Sequence, residues 1–473
     1  MHSHFLAQDR HGRDVACLAR EYGSHTEPNT SYPFSSGRKR EDWVTAMATT
    51  ERTQDVKPRR RWRIAWLLGL GVLINYFDRV NLSVSHHALI AAFGISNVTF
   101  GILASSYNWT YALCQIPIGS ALDWMGVQRV GRISTFLWGL ASFAAAAAPN
   151  VPSFFAARLA LGVGEAPTFP ANAKAIGNWF PAQERSFATS FFDAAAKLAS
   201  ALGVPLIGVL LLRVGWRLSF AATGLVSMLY FLLFFFVYRE PEQDPRLSPE
   251  ELALIRGHET FPEDASQAQA SLWRLLQQRR VLGLAIGFGS YNYIFYLLLV
   301  WLPTYLSESL HTNLLDSFLY TGVPWLVATA ADLLIGGWLV DALIQRGWKA
   351  NRVRMFVLVG GTAMGLGILG GARAHSPAEA LVWISVCIGG LSAAAPVGWS
   401  FPSLIAPTGC AGRVGGIMNF SNQISGIAAS ILTGILVQRW HNFAPAFTVA
   451  AIYLSAGIFA YIFLLRNAAP IRL

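Results

Sequence analysis

The stretch WLLGLGVLINYFDRVNLS, residues 66–83, runs an apolar helix pattern straight into two adjacent charges, Asp78 and Arg79. About 20 apolar residues cross a bilayer core. An ionisable group within such a segment costs at least about 2.5–3.5 kcal/mol on insertion scales and is a functional candidate by default. The rest of the chain decides whether this stretch lies in lipid.

Its composition says that it does. Of 473 residues 53% are hydrophobic and only 13% charged, against about 25% charged in soluble domains. From Trp62 onward, twelve apolar segments of spanning length follow one another, near 63–84, 98–121, 132–148, 153–179, 187–212, 216–238, 281–305, 317–340, 355–373, 378–405, 414–437 and 443–465. Lipid leaves no partner for an open backbone, so each is expected to be helical. The net charge of +10 sits in short loops, which reads as orientation and not as a nucleic-acid surface. Twenty-one Lys and Arg residues flank one side of these segments and four (Arg213, Arg217, Arg373, Arg439) the other, which puts both termini in the cytoplasm.

The expected organisation is a disordered tail (1–56), a first six-helix bundle (57–238), a cytoplasmic linker with short amphipathic helices (239–280) and a second bundle (281–473). Met47 opens a segment that reads as an ordinary cytoplasmic start, so residues 1–46 are expected to reflect start-codon choice. In the linker, Ser248, Pro249 and Glu251 read as a capping box. The halves repeat weakly: Gly119 and Asp123 match Gly337 and Asp341, and Asn75-Tyr76 matches Asn292-Tyr293. Two parallel six-helix repeats are a transporter plan. The four cysteines are scattered without metal-ligand spacing, and no nucleotide or calcium loop appears. Neither a metal site nor an enzyme's nucleophile–base pair is expected.

GSALDWMGVQRVGR (119–132) resembles the cytoplasmic 2–3 loop signature of the major facilitator superfamily, with Trp124 where a basic residue is usual. NYFDRVNLSV, GEAPTFPANAKAIGNWFP and ERSFATS are similar to the anion:cation symporter family of sugar-acid and organic-anion transporters. The resemblance covers about Trp62 to Leu465. It implies an all-α membrane fold of twelve helices in two bundles, and import of an organic anion with protons across the bacterial inner membrane.

Charged residues inside the segments are few. Asp78 lies about fifteen residues into segment 1, and Glu165 about twelve into segment 4, which runs the other way, so both fall near the midplane. Desolvation favours a carboxyl's neutral form, which suits proton carriers. Arg79 keeps its charge, and its fork fits a carboxylate, which suits a substrate clamp. The resemblance implies the same roles. The structural alternative is a set of ion pairs among Asp78, Arg79, Arg158 and Glu165. Arg158 and Glu165, seven apart, need an intermediate to meet. Asp193 and Lys197 share a helix face and read two ways: Lys197 as a second anion contact, or an internal salt bridge. Asp332 in segment 8 has no assigned role. Tyr76 stands one turn below Arg79. Tyr111, Trp399 and Asn419 match cavity-facing positions in the resemblance, while Asn292, Tyr293, Tyr296 and Gln423 are hydroxyl binders by chemistry alone. Asp123 and Asp341 are expected to latch the cytoplasmic gate. Gly162 and Gly164 read as close helix packing, and Pro167 and Pro170 as a bend.

The expected function is proton-coupled uptake of a sugar acid or related carboxylate by alternating access, with no cofactor but the proton. The expected partners are a small organic anion, protons and the lipid bilayer, without nucleic acid, in a monomer. The alternatives are an anion or drug antiporter of the same fold and a non-transporting membrane anion sensor.

Overall fold

Helix α1 (Arg60–Val84) carries the opening stretch, and a short α2 (His86–Phe93) leads into α3 (Asn97–Ala147). Helices α4 (Val151–Glu165), α5 (Thr168–Trp179) and α6 (Arg185–Val237) complete the first half, and α7 (Pro249–Arg256) and α8 (Leu272–Leu276) lie in the linker. The second half runs through α9 (Arg279–Ser309), α10 (Leu314–Ala331), α11 (Val340–Gln345), α12 (Ala350–Met364), α13 (Ile368–Gly371), α14 (Pro377–Ile405), α15 (Ala411–Trp440) and α16 (Ala444–Phe459). The computed structural model describes residues 60–181, 184–256, 271–407 and 410–467, with 469 and 471. The expected tail and the centre of the linker lie outside them. The described residues belong to one compact unit, Pro58–Leu473.

Helix covers all twelve expected segments, and no strand occurs among the described residues. Among the described residues eight helical stretches are long and apolar enough to cross a membrane. A ninth is the bent pair His86–Phe93 and Asn97–Gln115.

Two of the expected boundaries are sharp turns at a glycine rather than extended loops. Segments 2 and 3 were expected to be separated by a loop over 122–131, but helix continues through it and turns at Gly126, where φ is 76°. A residue with a Cβ reaches that region only with strain, so glycine makes the turn in one step. Glu240 caps the new start: its Oε1 accepts from the backbone N–H of Val127 at 3.0 Å and of Gln128 at 3.2 Å. Gly215 makes the same turn between segments 5 and 6, with φ 79°. Segment 4 breaks after Glu165 and restarts at Thr168, where Pro167 lacks the N–H that would continue the ladder. The expected bend is therefore next to the midplane carboxyl.

The packing reading of the segment 4 glycines holds. A Cβ on Gly162 would stand 2.2 Å from the Tyr107 carbonyl oxygen, and one on Gly164 would stand 2.7 Å from the Trp138 backbone nitrogen. Segment 4 thus lies against both arms of α3.

The capping box at Ser248 is half formed. Ser248 Oγ accepts from the Glu251 N–H at 3.2 Å, but the Glu251 carboxylate reaches instead to the start of α1. It accepts from the backbone N–H of Arg60 (3.3 Å) and Arg61 (3.2 Å) and from the Arg61 guanidinium at 3.1 Å. Arg61 also pairs with Glu184 at 2.8 Å, and Arg60 Nε donates to Asp244 at 2.7 Å. A helix N-terminus attracts an anion because its first N–H groups have no internal partner. The linker is thereby bound to the first half.

Close backbone contacts between halves occur at the end opposite the basic loops. Ser83 Oγ donates to the Val300 carbonyl at 2.7 Å. A Cβ on Gly101 would meet the Ser430 carbonyl at 2.5 Å, and one on Gly434 would meet the Asn97 carbonyl at 2.5 Å. Missing side chains let backbones approach where lipid offers no hydrophobic drive.

Glu251→Ala removes a cap and one arm of a buried ion pair. Loss of a cap costs about 0.5–2 kcal/mol, and breaking a buried pair costs about 3–5 kcal/mol. Because Glu184 still holds Arg61, the expected loss lies near the lower of these figures. Thermal unfolding in detergent should show a lower Tm for Glu251→Ala than for the exposed-pair variant Glu242→Ala.

Candidate functional site

Consecutive residues on a helix point about 100° apart, and Asp78 and Arg79 use that difference. Asp78 faces into the first half. Its Oδ2 accepts from the Trp138 indole N–H and from Ser227 Oγ at 2.9 Å. Oδ1 is buried without a hydrogen bond of good geometry, and the hydroxyls of Ser142 and Thr223 also bear on the carboxylate. The side chain is 1% exposed.

Arg79 faces the second half. Its Nε donates to Glu165 Oε2 at 3.0 Å and its Nη1 to Tyr296 Oη at 3.4 Å. The guanidinium carbon lies 4.6 Å from the ring centre of Tyr76, 4.9 Å from Tyr107 and 5.6 Å from Tyr111. Three aromatic faces around one cation partly replace the water it has lost. Nη2 makes no hydrogen bond of good geometry, and neither does Glu165 Oε1; both are buried. The pair therefore keeps one donor nitrogen and one acceptor atom unused.

Tyr107 donates to Tyr296 Oη at 2.6 Å, tying segment 2 to segment 7 beside Arg79. Arg158 forms no ion pair among the described residues. Its Nη1 reaches the Asp78 carbonyl oxygen at 3.5 Å, and its guanidinium lies 5.4 Å from the Tyr107 ring. The four-residue ion-pair alternative therefore contracts to Arg79–Glu165. Arg158 adds positive potential behind both carboxyls.

A second ionic group lies between segments 5 and 8. Lys197 Nζ is 2.6 Å from Asp193 Oδ2 and 2.6 Å from Asp332 Oδ2. Of the two readings of Asp193 and Lys197, the salt bridge is present, and Asp332 from the other half completes it. Asp332 opens a π-helical turn, Asp332–Leu339, a local irregularity frequent at functional sites.

The remaining predicted residues divide. Asn419 Nδ2 donates to Gln115 Oε1 at 3.1 Å, and Gln115 Nε2 donates to the Ala166 carbonyl at 3.3 Å, at the break in segment 4. Asn292 Nδ2 donates to the Asn422 carbonyl at 2.6 Å within the second half, and Gln423 is buried with its Oε1 unpartnered. Trp399 is 40% exposed with its ring 5.2 Å from Phe288, and is not brought to Arg79. Tyr293 stacks edge-on against Tyr453. Asp341 is exposed on α11, and the Asp123 side chain lies outside the described residues. Sequence reasoning missed Tyr107, Gln115, Trp138 and Ser227. Tyr107 and Gln115 stand one turn either side of Tyr111 on one helix face, a signal that would have found both. Trp138 and Ser227 carry none.

Paired charges and tyrosines gathered at the join of two helical halves define a membrane transporter, and the comparisons agree. The chain belongs to the Major Facilitator Superfamily, whose family model matches residues 68–430. It is 36% identical over 416 residues to the uncharacterized transporter YybO of Bacillus subtilis, covering 87% of this chain and 96% of that one. It is 29% identical over 417 residues to the D-galactonate transporter of Escherichia coli O6:H1 (86% and 96% covered). It is also 29% identical over 423 residues to the probable galactarate/D-glucarate transporter GarP of Escherichia coli K12 (86% and 95%). Among solved structures, the inward-open xylose transporter XylE of Escherichia coli superposes with a TM-score of 0.68 at 16% identity, covering 86% and 97% of the chains. The protein is thus a multi-pass transporter of the bacterial inner membrane and not an enzyme.

Trp138→Phe keeps the packing but strips Asp78 of its indole donor. A hydrogen bond to a charged group contributes about 1.5–3 kcal/mol, so the variant should be less stable by that order. The same substitution made on Asp78→Asn should cost clearly less. Equal losses in the two backgrounds, read by thermal unfolding, would show that the contact does not bear on the charge.

Proposed function

We propose that this protein imports an organic anion of the sugar-acid class together with protons. Twelve membrane crossings with both termini in the cytoplasm belong to the same reading. The observation that carries it is Arg79: a permanent buried cation, ringed by three tyrosines, held by one carboxylate and still offering an unused Nη2 donor, with the edge beside Nε open once Glu165 leaves. A guanidinium edge matches a substrate carboxylate, and tyrosine hydroxyls suit a polyol chain. Relatives named as a D-galactonate transporter and a probable galactarate/D-glucarate transporter support that substrate class.

Coupling follows from competition. A substrate carboxylate arriving at Arg79 meets Glu165 already there. Two anions beside one cation in a low dielectric repel, so Glu165 takes a proton and yields Arg79. Asp78, two helix faces away and held by Trp138 and Ser227, carries the second proton. Loading joins the halves through Tyr296, and the bundles rock about the midplane. Trp399 and Asn419 remain candidates for the far end of the substrate. Lys197, occupied by Asp193 and Asp332, acts as a bridge between halves and not as a second clamp. Asp123 and Asp341 keep their proposed place at the cytoplasmic gate.

Uptake of labelled galactonate or glucarate into proteoliposomes tests the reading. Wild type should accumulate substrate only with an inward proton gradient. Asp78→Asn should lose accumulation yet retain counterflow exchange, and Arg79→Ala should lose both. Accumulation indifferent to the gradient, or equal loss of exchange in both variants, contradicts the assignment.

A further inference from the structure

A second set of ligating side chains lies where the halves meet opposite the basic loops. His86 and His87 open α2 in the first half, and Glu308 stands at the end of α9 in the second. Each offers one ligand atom, and the three atoms lie within 4.8 Å of one another. His87 Nδ1 is 3.8 Å from Glu308 Oε1.

The surrounding hydrogen bonds fix which nitrogens are available. Ser307 Oγ donates to the Thr304 carbonyl at 3.1 Å and so faces His87 Nε2, 3.1 Å away, as an acceptor. The tautomer that suits this contact carries its proton on Nε2 and leaves the Nδ1 lone pair toward Glu308. His86 Nε2 lies 2.9 Å from Asn97 Oδ1, again an acceptor, and its Nδ1 is buried without a partner. The His86 ring is 1% exposed and packs edge-on against Phe100 and Trp301. Packing alone accounts for the ring but not for a buried nitrogen left unpaired, which is costly. Orientation of a ligating imidazole by a hydrogen bond at its other nitrogen is the usual support of a metal site.

We propose that His86, His87 and Glu308 bind a divalent transition metal ion of the Zn2+ class, bridging the two halves at this closure. Two imidazoles and one carboxylate are a zinc donor set, and imidazole nitrogens disfavour Mg2+ and Ca2+. Zinc bonds of about 2.0–2.2 Å require the ligand atoms to draw closer together. The His87 and Glu308 side chains, 38% and 37% exposed, have room to do so and leave a position for water. Because the ligands come from both halves, the ion binds the closed arrangement more tightly and shifts the population toward it.

The test is Zn2+ titration of the tag-free purified full chain, by calorimetry and by melting temperature, with Mg2+ as the control ion. Wild type should bind one Zn2+ and melt higher, and His87→Ala and Glu308→Gln should each weaken binding at least tenfold. Those two partly exposed positions carry the test because His86→Ala disturbs packing. No Zn2+ binding, or an equal response to Mg2+, overturns the site. Zinc lost in His87→Ala but retained in Glu308→Gln overturns the bridge between halves. The readout is metal binding, so it is independent of whether the chain transports a sugar acid.

Discussion

An arginine buried at the middle of a bilayer cannot discard its charge, so anions, carbonyls or aromatic faces must stand around it. Arg79 imposes that condition on everything around it. Glu165 supplies the anion, and Tyr76, Tyr107 and Tyr111 supply the faces. Gly162 and Gly164 let segment 4 come close enough for Glu165 to reach. Gly164 rests on the Trp138 backbone while the Trp138 indole holds Asp78. One close packing thus positions both carboxyls, and a change at either site is felt at the other.

The ionic centre also senses the relation between halves. Tyr296 touches Arg79 and Tyr107 from the second half, Asp332 holds Lys197, and Asn419 holds Gln115. Each bridge crosses the plane along which the halves must separate. In the proposed cycle a change of access breaks or exchanges them, with the pairing state of Arg79 selecting the arrangement. Gln115 also bonds the Ala166 carbonyl at the break in segment 4, so the bend beside Glu165 is tied to the same set.

Much of this was legible before any coordinates. Charges inside long apolar runs are conspicuous, and Asp78, Arg79 and Glu165 stood out for that reason. The direction each faces was not, because adjacent residues on a helix diverge and only the packing says toward what. Trp138 and Ser227 resemble many other membrane residues, and their partner Asp78 is distant in sequence. The turn at Gly126 was hidden inside a stretch read as a loop, since nothing marks a one-residue turn except the glycine itself. Glu251 looked like a local cap, and its carboxylate instead caps α1, a choice set by where the linker docks. Asp332 was noticed without a role because its partner, Lys197, belongs to the other half.

The central claim is that substrate displaces Glu165 from Arg79, and that Glu165 takes up a proton from solution as it leaves. Proton exchange on binding measures this directly. Purified protein in weak buffer is titrated with galactonate or glucarate while released or consumed protons are followed. The account predicts net proton uptake with each anion bound, diminished in Glu165→Gln although that variant still binds. Binding without proton uptake in the wild type, or undiminished uptake in Glu165→Gln, would contradict it.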